Sequence, residues 1–167
     1  MAIHDKIYKS KVKYVGIFSF SAFYEFCFNW IMSDIEPSEF DEKSYSEKIV
    51  GDGKNIDITW ELEKKCGAYF KYKSTVKFKT IMMKKVEVNR NGQKEKVNNG
   101  EISVEVSGEL VHDFQNRFET GAWKKWRAIY EKWMIPARID ALEGKTIGDL
   151  DSFLSQAKAF LDLEGIK

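Results

Sequence analysis

The sequence predicts an α+β domain in which a curved antiparallel sheet is covered on one face by an early helix and C-terminal helices. Three observations lead to this fold class. Apolar residues recur at helical spacing near the start of the chain and again near its end. Between these two segments, apolar and polar residues alternate, which is the period of a strand with one buried face. Because only the terminal helices can cover the apolar face of the sheet, a two-layer domain follows.

The first elements are a strand and a helix. The strand is predicted at 11–18, and Ser19 or Ser21 can cap the following helix by accepting a backbone N–H. Within 20–33, six side chains share one helical face. These side chains are Phe20, Phe23, Tyr24, Cys27, Trp30 and Ile31. The acidic, proline-containing segment 34–44 predicts a connection.

The middle of the chain predicts a run of antiparallel strands. Alternation is strongest at 56–62 and recurs at 101–112, where Gly108 indicates a bulge or a bend. The Asn-Gly pair at 91–92 predicts a tight hairpin turn, since both residues accept positive φ angles. The letters NNG at 98–100 predict another turn.

The end of the chain predicts two helices. The first covers 121–134 and is ended or kinked at Pro136, which lacks a backbone N–H. A polar break at 140–148 leads to a second helix over 147–163. Thr146 and Asp149 resemble a capping box at the start of this helix.

The segment 121–134, GAWKKWRAIYEKWM, carries an aromatic stripe on one side of a helical wheel and most of its charges on the other. The stripe consists of Trp123, Trp126, Tyr130, Trp133, Met134 and Ala137. We interpret it as the side that packs on the sheet, or as the wall of a cavity. A helix in a membrane interface, a helix in a partner protein's groove and a stacking surface for single-stranded nucleic acid are alternatives. The last is disfavoured because the cations lie opposite the rings.

The charge balance argues against a binder of nucleic acid. The chain has 27 basic and 26 acidic side chains, so no overall field attracts a polyanion. Four lysines do form a ladder on one strand face. They are Lys71, Lys73, Lys77 and Lys79. Carboxylates on the polar faces of the neighbouring strands are expected to pair with them.

The sequence offers no catalytic or metal-binding constellation, so we expect a non-enzyme without a cofactor. His112, followed by Asp113, is the best acid–base candidate, but a strand-end histidine bonded to backbone is the favoured interpretation. Cys27 and Cys66 have no metal-ligand spacing, and a reducing cytoplasm is the simplest location. The apolar run near residue 25 is interrupted by Glu25, so no membrane-spanning helix is expected.

The order of elements resembles the helix-grip fold of the START and polyketide-cyclase-like superfamily. In that fold a curved antiparallel sheet wraps a long C-terminal helix, and an early helical segment follows the first strand. This chain departs from it at Pro136 and at the polar break, where the superfamily has one uninterrupted helix. The resemblance implies a cavity for a lipid or other apolar small molecule between sheet and helix. Its expected lining is Trp60, Phe70, Tyr72, Phe78, Trp126, Tyr130 and Trp133.

The leading functional prediction is therefore a single domain, 1–167, that holds an apolar small molecule or lipid without catalysis. A protein–protein interaction or homo-oligomeric assembly protein with a solid core is the main alternative. A binder of nucleic acid or anionic membrane through the lysine ladder ranks third.

Overall fold

The computed structural model describes residues 3–116 and 121–166, excluding the side chains of residues 124, 134, 165 and 166. The chain forms five strands and three helices in this part. The strands are β1 (Ile3–Phe18), β2 (Glu39–Val50), β3 (Gly53–Lys65), β4 (Phe70–Arg90) and β5 (Gln93–His112). The helices are α1 (Phe20–Trp30), α2 (Trp123–Ile129) and α3 (Pro136–Ile166); π-helical turns at Ile31–Ile35 and Tyr130–Met134 extend α1 and α2.

The strands form one antiparallel sheet in the order β1-β5-β4-β3-β2. The sheet is curved and does not close, and α1 and α3 pack on one of its faces. The predicted α+β class and the covered apolar face are thereby confirmed. Alternate residues of the central strands point into the core, as the period of 2 predicts. In β3 these residues are Ile56, Ile58, Trp60 and Leu62, each at most 1% exposed.

Helix α1 begins where the sequence predicts it. Ser19 adopts an extended backbone and its hydroxyl accepts the N–H of Ala22 at 3.4 Å. Phe23 and Cys27, one turn apart, are fully buried against the sheet. The prediction of a capped helix with an apolar inner face is therefore confirmed.

Helix α3 is continuous, so the predicted polar break at 140–148 is wrong. Pro136 begins the helix, where its missing N–H needs no partner. Thr146 lies in the helix interior and donates its hydroxyl hydrogen to the carbonyl of Leu142 at 2.8 Å, so it is no cap. The polar residues of the break belong to an amphipathic helix whose inner side includes half-buried Ile139 and Leu142 and buried Thr146.

A predicted connection and a predicted turn are also wrong, because both segments lie in strands. Most of the acidic segment 34–44 belongs to β2, an edge strand whose side chains are almost all exposed and need no apolar alternation. The NNG letters at 98–100 lie inside β5. Gly100 is needed there because a Cβ would come within 2.8 Å of the Met83 Cα, beside an irregularity in β4.

Gly108 allows α3 to approach the sheet closely. A Cβ at this position would lie 2.6 Å from Cδ1 of Leu150 on α3. The predicted bulge is not at Gly108 itself, since β5 pairs regularly with β4 there; the extra residue lies in the neighbouring β1, where the register shifts between Lys6 and Tyr8. Leu150, Phe153 and the other inner residues of α3 complete the core, each at most 3% exposed; the rest are Leu154, Ala157 and Leu161.

Candidate functional site

The seven residues of the predicted cavity lining do not come together. Four of them, Trp60, Phe70, Tyr72 and Phe78, are at most 2% exposed and belong to the core. The rings of Trp60 and Phe78 pack edge to face with centroids 4.6 Å apart. The other three lie on the far side of α2 and its π-helical turn, in contact with solvent. These solvent-exposed residues are Trp126, Tyr130 and Trp133.

The prediction that the indoles of 121–134 turn inward is wrong. The exposed fractions are 57% for Trp123, 59% for Trp126 and 72% for Trp133. Ile129 and Tyr130 extend the same surface at 48% and 36%. We call these five residues the aromatic strip. Large exposed apolar patches are uncommon on monomeric proteins.

The strip faces outward because the opposite, polar side of the helix is the side that meets the end of the sheet. The side chains of Arg127 and Glu131, one turn apart, are only 12% and 19% exposed. Arg127 Nη1 lies 3.8 Å from Oδ2 of Asp113, a carboxylate that is completely buried. Glu131 in turn contacts His112 and Tyr69 at the end of the sheet. We call Tyr69, His112, Asp113, Arg127 and Glu131 the polar latch.

His112 stands at the centre of the polar latch and is 4% exposed. Its Nδ1 lies 3.1 Å from Oε1 of Glu131, within hydrogen-bond distance. Its Nε2 lies 2.9 Å from Oδ2 of Asp5 on β1, which is an ion-pair distance without hydrogen-bond alignment. The favoured interpretation, a histidine bonded to backbone, is wrong, because its partners are carboxylates from two other elements. The imidazole joins β1 and the helix to the end of β5.

Tyr69 connects the latch to the strip. Its hydroxyl donates a short hydrogen bond to Glu131, and its ring meets that of Tyr130 with centroids 5.7 Å apart. Burial, and then the hydrogen bond to the Glu131 carboxylate, raise the pKa of Tyr69 well above that of a free phenol. The neutral phenol is therefore the form that holds the helix.

Lysines lie beside the strip. Lys125 and Lys132 are exposed, and the ammonium of Lys132 lies 5.4 Å from the ring centroid of Trp133. The segment thus has three sides: polar and buried, aromatic and exposed, and lysine-bearing. The wheel distinguishes an aromatic side from a charged side, but it cannot separate Arg127 and Glu131, which are buried, from the solvated lysines. The four-residue spacing between Arg127 and Glu131 was the signal in the sequence that could have identified these two residues as an ion pair.

The lysine ladder is compensated in part: Lys71 and Lys73 form ion pairs as predicted, whereas no ion pair joins Lys77 or Lys79 to another residue of 3–116 or 121–166. Lys71 Nζ lies 2.9 Å from Oε2 of Glu63, and Lys73 Nζ lies 3.5 Å from Oε2 of Glu61, both across the β3–β4 pair. Pairs of this kind contribute about 0.2–1 kcal/mol each and neutralise the half of the ladder that contains Lys71 and Lys73.

The remaining site chemistry gives few further candidates. Among residues 3–116 and 121–166, no group of three or more His, Cys, Asp or Glu side chains could hold a metal ion. Both cysteines are free, and burial raises the pKa of the Cys27 thiol. Every helix in the described part of the chain is too short or too polar to span a bilayer.

No model of a known protein family matches the chain, and no curated protein matches it either.

Proposed function

We propose that the protein attaches to a lipid–water interface through the aromatic strip. The observation that carries this proposal is the exposure of three indoles, each more than half exposed, on one side of one helix. Indole and phenol rings favour the boundary between hydrocarbon and water, because one end is apolar and the other forms hydrogen bonds. A helix with such rings on one side and lysines on another is typical of segments that lie in this boundary.

The polar latch supports the proposal because it fixes the strip before any binding occurs. Arg127 and Glu131 are held by groups of the sheet, so the helix does not have to order itself at the membrane. Binding by a preorganised surface loses less conformational entropy than binding by an unfolded segment.

The finer predictions from the sequence remain part of the proposal. Membership of the helix-grip superfamily is supported by the element order, with α1 after β1 and α3 over the sheet. A cytoplasmic location is supported by the two free cysteines, Cys27 and Cys66. A bound apolar molecule between sheet and helices stays a prediction, and it would now need a lining without Trp126 and Trp133.

The test is binding to vesicles of pure phosphatidylcholine, measured by co-sedimentation and by the blue shift of indole fluorescence. We expect the wild-type chain to bind and the double variant Trp126→Ala/Trp133→Ala to bind at least about tenfold more weakly, because two large rings no longer leave water. The matched control is Val15→Ala/Ile49→Ala, which removes side chains that are 68% and 81% exposed on the edge strands β1 and β2. This control should bind like the wild type.

Two outcomes would overturn the proposal. One is wild-type protein that stays in solution in the presence of vesicles. The other is a wild-type dimer in light scattering without lipid that becomes a monomer in the tryptophan variant, because the strip would then bind a second copy of the chain.

A further inference from the structure

A small basic pocket lies at the other end of the sheet. Its volume is about 300 Å³, and it is formed by the start of α1 together with β3, β4 and β5. Its polar lining consists of Ser19, Ser21, Lys54, Lys85, Lys96 and Asn98. No acidic side chain is among the described residues that line it.

The three lysines are poorly neutralised. Lys54 Nζ lies 3.6 Å from Oε2 of Glu47, but no ion pair joins Lys85 or Lys96 to another residue of 3–116 or 121–166. Glu87 stands across from Lys96 in the β4–β5 register without reaching ion-pair distance. Positive charge therefore accumulates on one side of the pocket.

The start of α1 adds to this charge. The first turn of the helix contains no acidic residue, although carboxylates are favoured at that position. Asn98 Oδ1 accepts the N–H of Phe20 at 3.0 Å, and the hydroxyls of Ser19 and Ser21 lie 3.4 Å apart at the pocket. Lysines, hydroxyl donors and the positive end of the helix thus converge on the pocket, and the carboxylate closest to its lysines, Glu47, lies outside the lining beside Lys54.

We infer that this pocket binds the phosphate group of a small soluble ligand. A phosphate offers several acceptor oxygens and up to two negative charges, which match the lysines and the hydroxyl donors. A larger cleft of about 960 Å³ shares Ser19, Lys96 and Val97 with the pocket. Asn89, Asn91 and Gln93 line this cleft together with Arg90, Glu95 and Glu164, so it suits an uncharged hydrogen-bonding body attached to the phosphate.

The position of the pocket favours a soluble phosphate ester over a lipid headgroup. Strand β4 starts at Phe70, beside the latch, and reaches the pocket at Lys85. Most of the length of this strand separates the pocket from the aromatic strip. A membrane held by the strip would leave the pocket in solution, and the pocket does not depend on the strip for its function.

The test uses inorganic phosphate and ribose 5-phosphate as probes, with ¹⁵N amide signals of Phe20, Ser21 and Asn98 followed at constant ionic strength. We expect saturable shifts with both probes and none with ribose. Lys85→Ala/Lys96→Ala should weaken binding at least about tenfold, because each lysine contributes a charge-assisted contact. Lys77→Ala/Lys79→Ala, which removes two exposed lysines from the outer face of the same strand, should bind like the wild type.

Several results would overturn the inference. They are the absence of saturable shifts, an equal loss of binding in the Lys77/Lys79 control, and a response to ribose as large as that to its phosphate. Binding to phosphatidic-acid vesicles that depends on Lys85 and Lys96 would assign the site to a lipid and overturn the soluble ligand. The variant Trp126→Ala/Trp133→Ala should retain phosphate binding, so failure of the membrane proposal would be seen separately.

Discussion

Helices α2 and α3 both carry an apolar stripe at helical spacing, yet only the stripe of α3 is buried. Phe153 on α3 is 1% exposed and packs on Trp30, whereas Trp126 on α2 is 59% exposed. The difference lies in what each helix meets. Helix α3 lies over the apolar face of the sheet, while α2 meets the end of the sheet, where His112 and Asp113 offer polar partners. Amphipathicity thus predicts that a helix has two sides, and the neighbour decides which side is buried.

The largest expected effect tests this difference directly. Phe153→Ala should lower the free energy of unfolding by about 3–5 kcal/mol, because it removes a large ring from a packed core. Trp126→Ala should change it by no more than about 0.5 kcal/mol, because the indole is already in water. Urea unfolding of both variants measures the two values. Equal losses would show that the strip is buried and that the comparison is wrong.

The second effect concerns the latch. Glu131→Ala should cost about 2–3 kcal/mol, because the half-buried Tyr69 hydroxyl and buried His112 each lose their acceptor. Glu25→Ala, an exposed glutamate on α1, is the matched control and should stay within about 0.5 kcal/mol of the wild type. Thermal or urea unfolding distinguishes them. If the two substitutions cost the same, the latch does not hold α2 in place.

The third effect concerns how closely α3 approaches the sheet. Gly108→Ala should cost about 1–3 kcal/mol, since its Cβ would lie 2.6 Å from Cδ1 of buried Leu150. Gly144→Ala, on the exposed side of α3 with nothing within 4 Å of the new Cβ, should instead stabilise the protein by about 0.5–1 kcal/mol. Opposite signs in urea unfolding are the expected result. Equal destabilisation would mean that α3 does not lie as described.

Much of the fold could be predicted from residue periodicity. Residues 56–62 alternate and form a buried-face strand, and the spacing that starts at Phe20 gives a capped helix. The failures occur where tertiary contacts decide. The edge strand β2 has almost no buried side and so shows no alternation, and Thr146 resembles a cap although its hydroxyl bonds within the helix.

The candidate site was harder to predict for the same reason. The wheel located the aromatic strip correctly but not the direction in which it faces, because α1 and α3 already cover the sheet. The basic pocket was not predicted either. Its lysines come from three strands, and no local spacing in the sequence brings Lys54 near Lys85 and Lys96.

The smallest effect is a change in the titration of Tyr69. Burial and the Glu131 carboxylate raise the pKa of this phenol in the folded protein, while the unfolded chain has an ordinary value of about 10. The folded state therefore holds its proton more tightly, so the stability from this contact is complete below about pH 10 and is lost as the pH rises through the folded pKa.

Glu131→Gln separates the two causes of this shift, because it removes the carboxylate charge but keeps the side chain's size and an acceptor oxygen. The pKa of Tyr69 should fall in this variant without reaching the ordinary value, since burial remains the larger cause. Absorbance at the phenolate band, with Tyr69→Phe used to identify the signal, measures the change. A Tyr69 curve that does not move in Glu131→Gln would mean that the carboxylate does not contact the phenol in solution. The contact of Arg127 with Asp113 would then be a more important anchor of the helix than that of Tyr69 with Glu131.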